Sequence, residues 1–189
     1  RLPCEEQRLA VVLVLDESSS MEWLDRITHV RKTAIVLYDV CTGLKIPIMI
    51  YGHTTRNRDV MLYSYAEFDS VDHQDKYRLM DISARNSNRD GAALRFAAER
   101  LAKRPETWKL LILMSDGQPS AYGYYGSAAE EDLRSIKKEF EKKGVHIFSA
   151  AIGDDKENIQ RIYGDGFLDI TRLDDLPKNL SVLIKQYLK

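Results

Sequence analysis

The stretch RLAVVLVLDESSSM, residues 8–21, joins an unbroken apolar run to acidic and hydroxyl side chains. Residues 9–15 are rich in Val and Leu and show no alternation, which predicts a strand buried on both faces, as in the middle of a parallel sheet. Asp16, Ser18 and Ser20 follow at alternate positions. Ligands of open parallel sheets bind beyond the carboxyl ends of the strands. The stretch therefore predicts a site made of oxygen ligands at one rim of a sheet.

A second stretch repeats this design. WKLLILM, residues 108–114, reads as another buried strand, and it ends at Ser115, Asp116 and Gly117. Between the two stretches lies NSNRDGAAL, residues 86–94, in which a turn opens a helix and offers Asn88 and Asp90. Two strands are thus expected to present an aspartate at the same rim.

Strands and helices are predicted to alternate along the rest of the chain. A polar turn at residues 53–59 is short enough to imply an antiparallel hairpin, whereas the other connections contain helices, so we predict a doubly wound α/β sheet covered by helices on both faces. The further strands are predicted at residues 46–51, 60–68, 145–152 and 167–171. The helices are predicted at residues 22–42, 77–82, 90–103, 128–143 with Ser127 as its cap, 154–163, and at the C-terminal end.

The composition limits the classes of partner. The chain has 189 residues, which suits a single domain over 1–189, and its net charge of −1 gives no overall attraction to nucleic acid or to an anionic membrane. Cys4 and Cys41 form neither a disulfide framework nor metal-ligand spacing, so reduced thiols and a cytoplasmic location are expected. The sequence does not begin with Met, and we expect it to be the C-terminal part of a longer protein.

The three motifs together resemble the von Willebrand factor A (VWA) domain over nearly the whole chain. The resemblance rests on Asp-x-Ser-x-Ser after the first strand, on Gly-x-Ala-Leu after the polar loop, and on Ser-Asp-Gly after the later strand. It implies a mostly parallel six-stranded sheet with one antiparallel edge strand. It also implies a metal-ion-dependent adhesion site (MIDAS) for Mg²⁺, Mn²⁺ or Ca²⁺. The implied ligands are Asp16, Ser18, Ser20, Asn88 and Asp116.

The second motif departs from the family pattern. The family usually has Thr three residues before the glycine, where this chain has Asn88. An Asn carbonyl can ligate a hard cation, so Asn88 remains a candidate. Asp90 is the competing candidate for the same place.

Within the family, the segments around Asn88, Glu99 and Met114 resemble a bacterial branch with the CobT-type subunit of cobaltochelatase and the NorD-type protein of nitric oxide reductase activation. The resemblance implies a non-catalytic subunit that binds an Asp or Glu carboxylate of a protein partner through its cation. That partner would be an AAA+ ATPase or its target enzyme, with no role for nucleic acid or membrane. The residues Arg89, Tyr122, Tyr124 and Tyr125 are candidates for partner contact, with a solvated loop as the alternative.

Other interpretations of the same rim stay open. Asp16 to Ser20 can be a helix N-terminus, because Asp and Ser are preferred caps. A metal-dependent hydrolase or phosphatase can act at the same place, although phosphatases of the haloacid dehalogenase type need an acid where Ser18 stands. A serine hydrolase would need a Gly-x-Ser-x-Gly elbow, which these serines lack. A third possibility is an adhesion-like domain at the cell surface.

Overall fold

The computed structural model describes residues 8–70, 74–117, 119–153, 155–170 and 172–188. Six strands form one sheet and two short ones form a separate hairpin. In chain order the strands are Leu9–Asp16 (β1), Ile48–Arg56 (β2), Asp59–Ala66 (β3), Trp108–Ser115 (β4), Ser120–Ala121 (β5), Tyr124–Tyr125 (β6), Val145–Ala151 (β7) and Phe167–Asp169 (β8).

The large sheet is doubly wound around β1. Its strand order is β3-β2-β1-β4-β7-β8, and every neighbouring pair is parallel except β2 with β3. This arrangement confirms the predicted mostly parallel six-stranded sheet with one antiparallel edge strand. Because β1 and β4 are parallel neighbours, their carboxyl ends lie side by side, which places the two aspartate-bearing loops at one rim.

Helices cover both faces of the sheet. They are Arg26–Gly43 (α1), Asp75–Arg78 (α2), Asp90–Ala102 (α3), Gly126–Glu141 (α4), Lys156–Tyr163 (α5) and Leu176–Gln186 (α6). The first core lies between the sheet and α1 with α6, and the second lies between the sheet and α3, α4 and α5. None of the helices in the described ranges combines the length and the apolar character that crossing a membrane requires.

The unbroken apolar run in β1 follows from these two cores. All eight residues of β1 are buried, and alternate side chains point to opposite faces, as pleated strands require. Leu9, Val11, Leu13 and Leu15 belong to the first core, whereas Ala10, Val12 and Val14 belong to the second. Each fully buried Val or Leu contributes about 1.5–3 kcal/mol relative to an exposed position. A polar residue anywhere in this run would therefore face a core.

The polar turn predicted at residues 53–59 is wrong for most of its length. Strand β2 continues to Arg56, and the turn to β3 is made by Asn57 and Arg58. His53 pairs with Asp16 of β1 and with Leu62 of β3 in the ladder, and it is buried, as are Thr54 and Thr55. Both threonine hydroxyls donate hydrogen bonds to the carbonyl of residue 87, which satisfies them inside the protein.

Four helix starts also differ from the sequence prediction, among them that of α2, which begins at Asp75 rather than at residue 77. Helix α1 begins at Arg26 rather than at residue 22, because Ser19–Asp25 forms a 3-10 turn. Helix α4 begins at Gly126 with Tyr125 at its N-cap position, so Ser127 lies inside the helix and does not cap it. Helix α5 begins at Lys156. The predicted positions Cys4, Asp154 and Thr171 lie outside the described residues.

Gly52 is where β2 passes closest to the loop that follows β1. A Cβ atom at this position would lie 1.9 Å from Glu17 Oε1 and 2.9 Å from the ring of Tyr65. The Glu17 carboxylate cannot move aside, because it is fully buried and hydrogen-bonded to Tyr65 and Arg85. The absence of a side chain at Gly52 therefore allows the first motif to pack against the sheet.

We expect Gly52→Ala to lower the free energy of unfolding by roughly 3 kcal/mol, near the upper end for overpacked cores. Urea denaturation measures the change. The control is Gly43→Ala at the end of α1, where an added Cβ meets no atom within 4 Å and a helix favours Ala over Gly. Equal stabilities of Gly52→Ala and the parent would contradict the close approach.

Candidate metal centre

Asp16 lies at the end of β1 and connects three separate loops. Its fully buried carboxylate accepts a hydrogen bond at Oδ1 from the backbone N–H of Ser18, at 2.8 Å. At Oδ2 it accepts bonds from Ser115 Oγ at 2.9 Å and from Asn88 Nδ2 at 3.2 Å. The three motifs that the sequence singles out therefore meet at one carboxylate.

The remaining oxygen atoms extend this cluster toward the surface. Ser18 Oγ lies 3.0 Å from Ser20 Oγ, and Ser20 Oγ donates to Asp116 Oδ1 at 3.1 Å. Ser18 and Asp116 are buried, whereas Ser20 is exposed. The cluster thus begins under the sheet rim at Asp16 and reaches solvent at Ser20.

The structure separates the two candidates of the second motif. Asn88 contacts Asp16 through its Nδ2, and its Oδ1 accepts a hydrogen bond from the backbone N–H of Ser120 at 2.7 Å. Asp90 turns instead toward the buried His53, with Oδ1 3.2 Å from Nε2. Asn88 is therefore the residue of the second motif that joins the oxygen cluster.

The chemistry of the cluster suits a hard divalent cation. Among the described residues, no group of three or more His, Cys, Asp or Glu side chains is placed to hold a metal ion. The cluster consists instead of two carboxylates and hydroxyls, which offer oxygen, and of the Asn88 amide, which presents its Nδ2 to Asp16. Mg²⁺ takes about six such oxygens and usually keeps water among them, so a site of this composition fits it.

Burial raises the pKa of both aspartates of the cluster. For Asp16 the loss of solvent is the main cause and the charge of Asp90 adds to it, while His53 and the bonds from Ser18 oppose the rise. For Asp116 the cause is again burial, reinforced by Asp16 and opposed by Ser20 and Arg26. Both carboxylates are thus costly to keep charged without a nearby cation.

The sequence analysis missed the role of Glu17, which lies between the first two residues of the motif. Its buried carboxylate accepts hydrogen bonds from Tyr65 Oη at 2.5 Å and from Arg85 Nε at 2.6 Å, and its backbone carbonyl accepts one from Arg85 N. Glu17 thereby fixes the loop after β1 to β3 and to the segment that leads to Asn88. The partners of Glu17 are distant in sequence, so no local pattern indicates this role.

His53 and Arg26 were missed as well. Burial alone would lower the pKa of His53, but the adjacent Asp90, with Asp16 and Glu17, raises it above the ordinary value. Arg26 Nη1 donates to Asp116 Oδ2 at 2.9 Å, and both side chains are only 7% exposed. Residues 22–42 are predicted only as a helix, and that pattern gives no sign of an arginine at the rim.

The predicted partner contacts divide into two kinds. Tyr122 and Tyr125 are 73% and 69% exposed. Tyr124 is half-buried and donates to Asp132 Oδ2 at 2.7 Å, and the Arg89 guanidinium lies 5.1 Å from its ring centre. The exposed pair is thus free to contact a partner, whereas Tyr124 and Arg89 support the β5–β6 hairpin.

The 3-10 turn after Ser18 adds two exposed apolar side chains that were not predicted. Trp23 is 68% exposed and Leu24 is 66% exposed. They lie three and four residues after Ser20, in the 3-10 turn Ser19–Asp25 that begins at the oxygen cluster. An aromatic residue and a leucine left in solvent beside such a cluster extend the surface available to a partner.

A doubly wound sheet with this oxygen cluster beyond β1 and β4 has the architecture of a VWA domain. The model of the family described as "Cobalamin biosynthesis protein CobT VWA domain" matches residues 64–180. The protein NorD of Brucella suis is 31% identical over 188 residues, which are 94% of this chain and 29% of NorD. The chain therefore belongs to the VWA domains of CobT- and NorD-like proteins.

The chain is also similar to a second curated protein and to a solved structure. The uncharacterized protein YojO of Bacillus subtilis is 24% identical over 200 residues, covering 98% of this chain and 31% of YojO. The chain thus spans less than a third of the length of these relatives. The manganese-loaded TRAP protein of Plasmodium vivax shares the fold, with a TM-score of 0.71 at 15% identity, over 96% of this chain and 74% of that protein.

The raised pKa of Asp16 predicts how Asp16→Asn affects stability in the presence of a chelator. A protein in which the pKa of a carboxyl group is raised by folding becomes less stable as the pH rises through that raised value. We therefore expect the stability of the parent relative to Asp16→Asn to be lower at pH 7.5 than at pH 4.5, which is closer to the ordinary Asp pKa of about 3.9, because the Asn side chain does not titrate. Urea denaturation at both pH values measures this. A stability difference between the two proteins that is the same at both pH values would show that burial of the charge is already compensated.

Proposed function

We propose that this domain is a metal-ion-dependent protein-interaction module that binds a carboxylate of its partner through Mg²⁺. The observation that carries the proposal is the continuous hydrogen-bonded cluster of Asp16, Ser18, Ser20 and Asp116, which spans the ends of two adjacent strands. The membership in the CobT and NorD group supports it, and so does the manganese-loaded TRAP protein of the same fold.

Each residue of the cluster has a role in this proposal. Asp16 and Asp116 hold the cation directly or through water, with Ser18 and Ser20 as neutral oxygen ligands and Asn88 orienting Asp16. The bound cation supplies an electrophilic site for an incoming carboxylate. Neutral hydroxyls leave more of its positive charge uncompensated than carboxylates would. Binding energy at the rim is then available only to a partner with an acidic side chain.

We further propose that the partner is an AAA+ ATPase or the metalloenzyme that the ATPase helps to mature. The domain itself would be a non-catalytic subunit of such a complex, as in a cobaltochelatase or in nitric oxide reductase activation. The exposed Tyr122 and Tyr125 would supply contact area around the metal, and Trp23 would extend it on the neighbouring loop. Aromatic side chains are frequent anchors of protein interfaces, which supports this assignment.

The metal site is tested by thermal unfolding of chelator-treated protein while Mn²⁺ or Mg²⁺ is titrated. A specific ligand stabilises the folded state by about 2.7 kcal/mol at a hundredfold excess over Kd. We expect this metal-induced rise in stability in the parent and in Ser19→Ala, because Ser19 is exposed. The rise in stability should be smaller in Ser20→Ala. Equal rises in Ser20→Ala and the parent, or no rise even with acetate present, would overturn the proposal.

A phosphatase assay in Mg²⁺ separates binding from catalysis at the same rim. The interaction module should show no turnover of p-nitrophenyl phosphate. Turnover that disappears in Asp16→Asn would assign the site to a metal-dependent hydrolase instead.

The partner is tested with the AAA+ ATPase encoded nearest to this gene. We expect the ATPase to bind the protein in Mg²⁺ and to be released by EDTA. Replacing both Tyr122 and Tyr125 by Ala should weaken binding at least about tenfold, or about 1.4 kcal/mol. The control is Tyr77→Ala on α2, which removes a tyrosine of similar exposure outside the rim loops. Binding that survives EDTA and the double substitution would exclude this surface.

A further inference from the structure

The tip of the β2–β3 hairpin projects beyond the sheet rim beside the oxygen cluster. Strands β1 and β2 are parallel, and Asp16 pairs with His53 in their ladder. Strand β1 ends at this pair, whereas β2 continues to Arg56. Three further residues of extended chain span about 10 Å. The tip therefore carries the exposed Arg56 and Arg58, which we call the hairpin arginines, past the level at which the cluster begins.

Hydrogen bonds to the second motif hold the projecting part of β2 in place. Thr54 Oγ1 accepts a bond from the backbone N–H of Asn86 at 3.0 Å, and the N–H of Thr55 donates to the Ser87 carbonyl at 2.9 Å. Ser87 directly precedes Asn88, the residue of this motif that joins the cluster. The hairpin is therefore fixed relative to the candidate metal centre.

Arg58 is also held against the loop on the other side of the cluster. Its Cζ atom lies 5.0 Å from the ring centre of Tyr122. Tyr122 belongs to the β5–β6 hairpin, in which the Ser120 N–H donates to Asn88 Oδ1. A guanidinium packed on an aromatic ring is already oriented, so it loses less freedom when it binds a carboxylate. Arg58 thus presents an oriented positive charge beside the cluster.

The hairpin arginines form no ion pair with any residue that the structure describes. Most other arginines in the same ranges do form one. Arg89, which lies over the ring of Tyr124, shares the lack of an ion pair within those ranges. The acidic residue of the tip is the exposed Asp59. Because a guanidinium matches a carboxylate with two parallel hydrogen bonds, Arg56 and Arg58 are suited to an acidic group from outside.

The opposite flank of the cluster has the opposite charge. Asp155, at the start of α5, packs against the loop that follows Asp116, since a Cβ atom at Gly117 would lie 3.7 Å from the Asp155 Cβ. The β2 flank is therefore basic and the β7 flank carries a carboxylate. A negatively charged chain bound at the cluster is attracted toward the hairpin and repelled from the β7 side.

We propose that Arg56 and Arg58 bind a second carboxylate of an acidic peptide segment, next to the carboxylate that binds through the cation. This inference rests on the proposed function. An extended chain advances about 3.3 Å per residue, so a projection of about 10 Å separates the two acidic residues by about two to four positions. The partner is then a protein with a stretch of acidic residues rather than one acidic side chain.

Solvated arginines without a binding role predict a different result. If Arg56 and Arg58 only keep the tip in water, their removal changes the affinity for every acidic peptide by a similar factor, through the net charge. Direct contact makes the effect depend on one position of the peptide. The two roles therefore differ in the coupling between the arginines and the second acidic residue, which a double-mutant cycle measures.

The experiment measures binding of fluorescein-labelled Gly/Ser peptides by fluorescence anisotropy, in Mg²⁺ and in EDTA at constant ionic strength. One peptide contains a single Glu, and the others have a second Glu two, three or four positions before or after it. The proteins are the parent, Arg58→Gln and the double variant Arg56→Gln/Arg58→Gln. The control is Arg8→Gln, which removes the same charge from an exposed arginine at the opposite end of β1 from Asp16.

We expect the second Glu, at its best position, to strengthen binding to the parent in Mg²⁺ at least about threefold, as an exposed ion pair can. This factor should fall in Arg58→Gln and disappear in the double variant, because the second carboxylate then has no guanidinium to bind. Arg8→Gln should keep the factor of the parent. The replaced side chains are exposed, so the variants should fold as the parent does.

The outcomes separate this inference from the proposed function. Equal factors in the parent and the double variant, with binding that EDTA abolishes, would overturn the arginine contact and leave the metal site intact. Binding of the single-Glu peptide that EDTA does not reduce would overturn the proposed function. A parent that binds none of the peptides would overturn both. A single-stranded oligonucleotide that binds the parent more tightly than the peptides, and the double variant less tightly, would assign the arginines to phosphate instead.

Discussion

The rim of this protein depends on the burial of one carboxylate. Asp16 has no exposed surface, and the three groups that donate to it are a backbone N–H, a serine hydroxyl and an asparagine amide, none of them charged. These bonds replace the lost water but leave the negative charge uncompensated, which is why the pKa rises. Because the donors belong to the loop after β1, to the end of β4 and to the segment before α3, the same carboxylate also fixes the relative positions of these three parts of the chain. The candidate cation site and the packing of the strand ends around it therefore depend on the same hydrogen bonds.

The elements of the fold were predictable where their burial produces a regular pattern of apolar residues along the chain. Strands β1 and β4 lie in the middle of the sheet, so their buried faces require unbroken apolar runs, and the predicted bounds are within one residue of the observed ones. The continuation of β2 through His53 to Arg56 was missed because its polar side chains mimic a turn. They are buried only because residue 87 and Asp90 approach from distant parts of the chain and satisfy them. Tertiary contacts of this kind override local composition.

The same distinction holds at the candidate site. Asp16, Ser18 and Ser20 share one short motif, and Asp116 follows a recognisable strand, so the sequence indicates them directly. Arg26 and Asp116 are 90 residues apart, and Glu17 and Arg85 are 68 residues apart. Their pairing exists only after the sheet has formed. The start of α1 was not predictable from a local pattern either. Two residues in the left-handed region change the direction of the chain where a regular helix was predicted. Local patterns thus predict the candidate ligands, and only the fold reveals what surrounds them.

The tyrosines at the rim are of two kinds. One is packed and contributes to the stability of the fold, whereas the other two are exposed and do not. Tyr124 is held by Asp132 and packs close to Gly91, where a Cβ atom would lie 2.2 Å from its hydroxyl, so it contributes to the fold. Tyr122 and Tyr125, two residues before it and one after it, are mostly in solvent and bury little apolar surface. Apolar area left in water contributes nothing to folding. Folding therefore accounts for the position of Tyr124 and does not require the exposed aromatic side chains of Tyr122 and Tyr125.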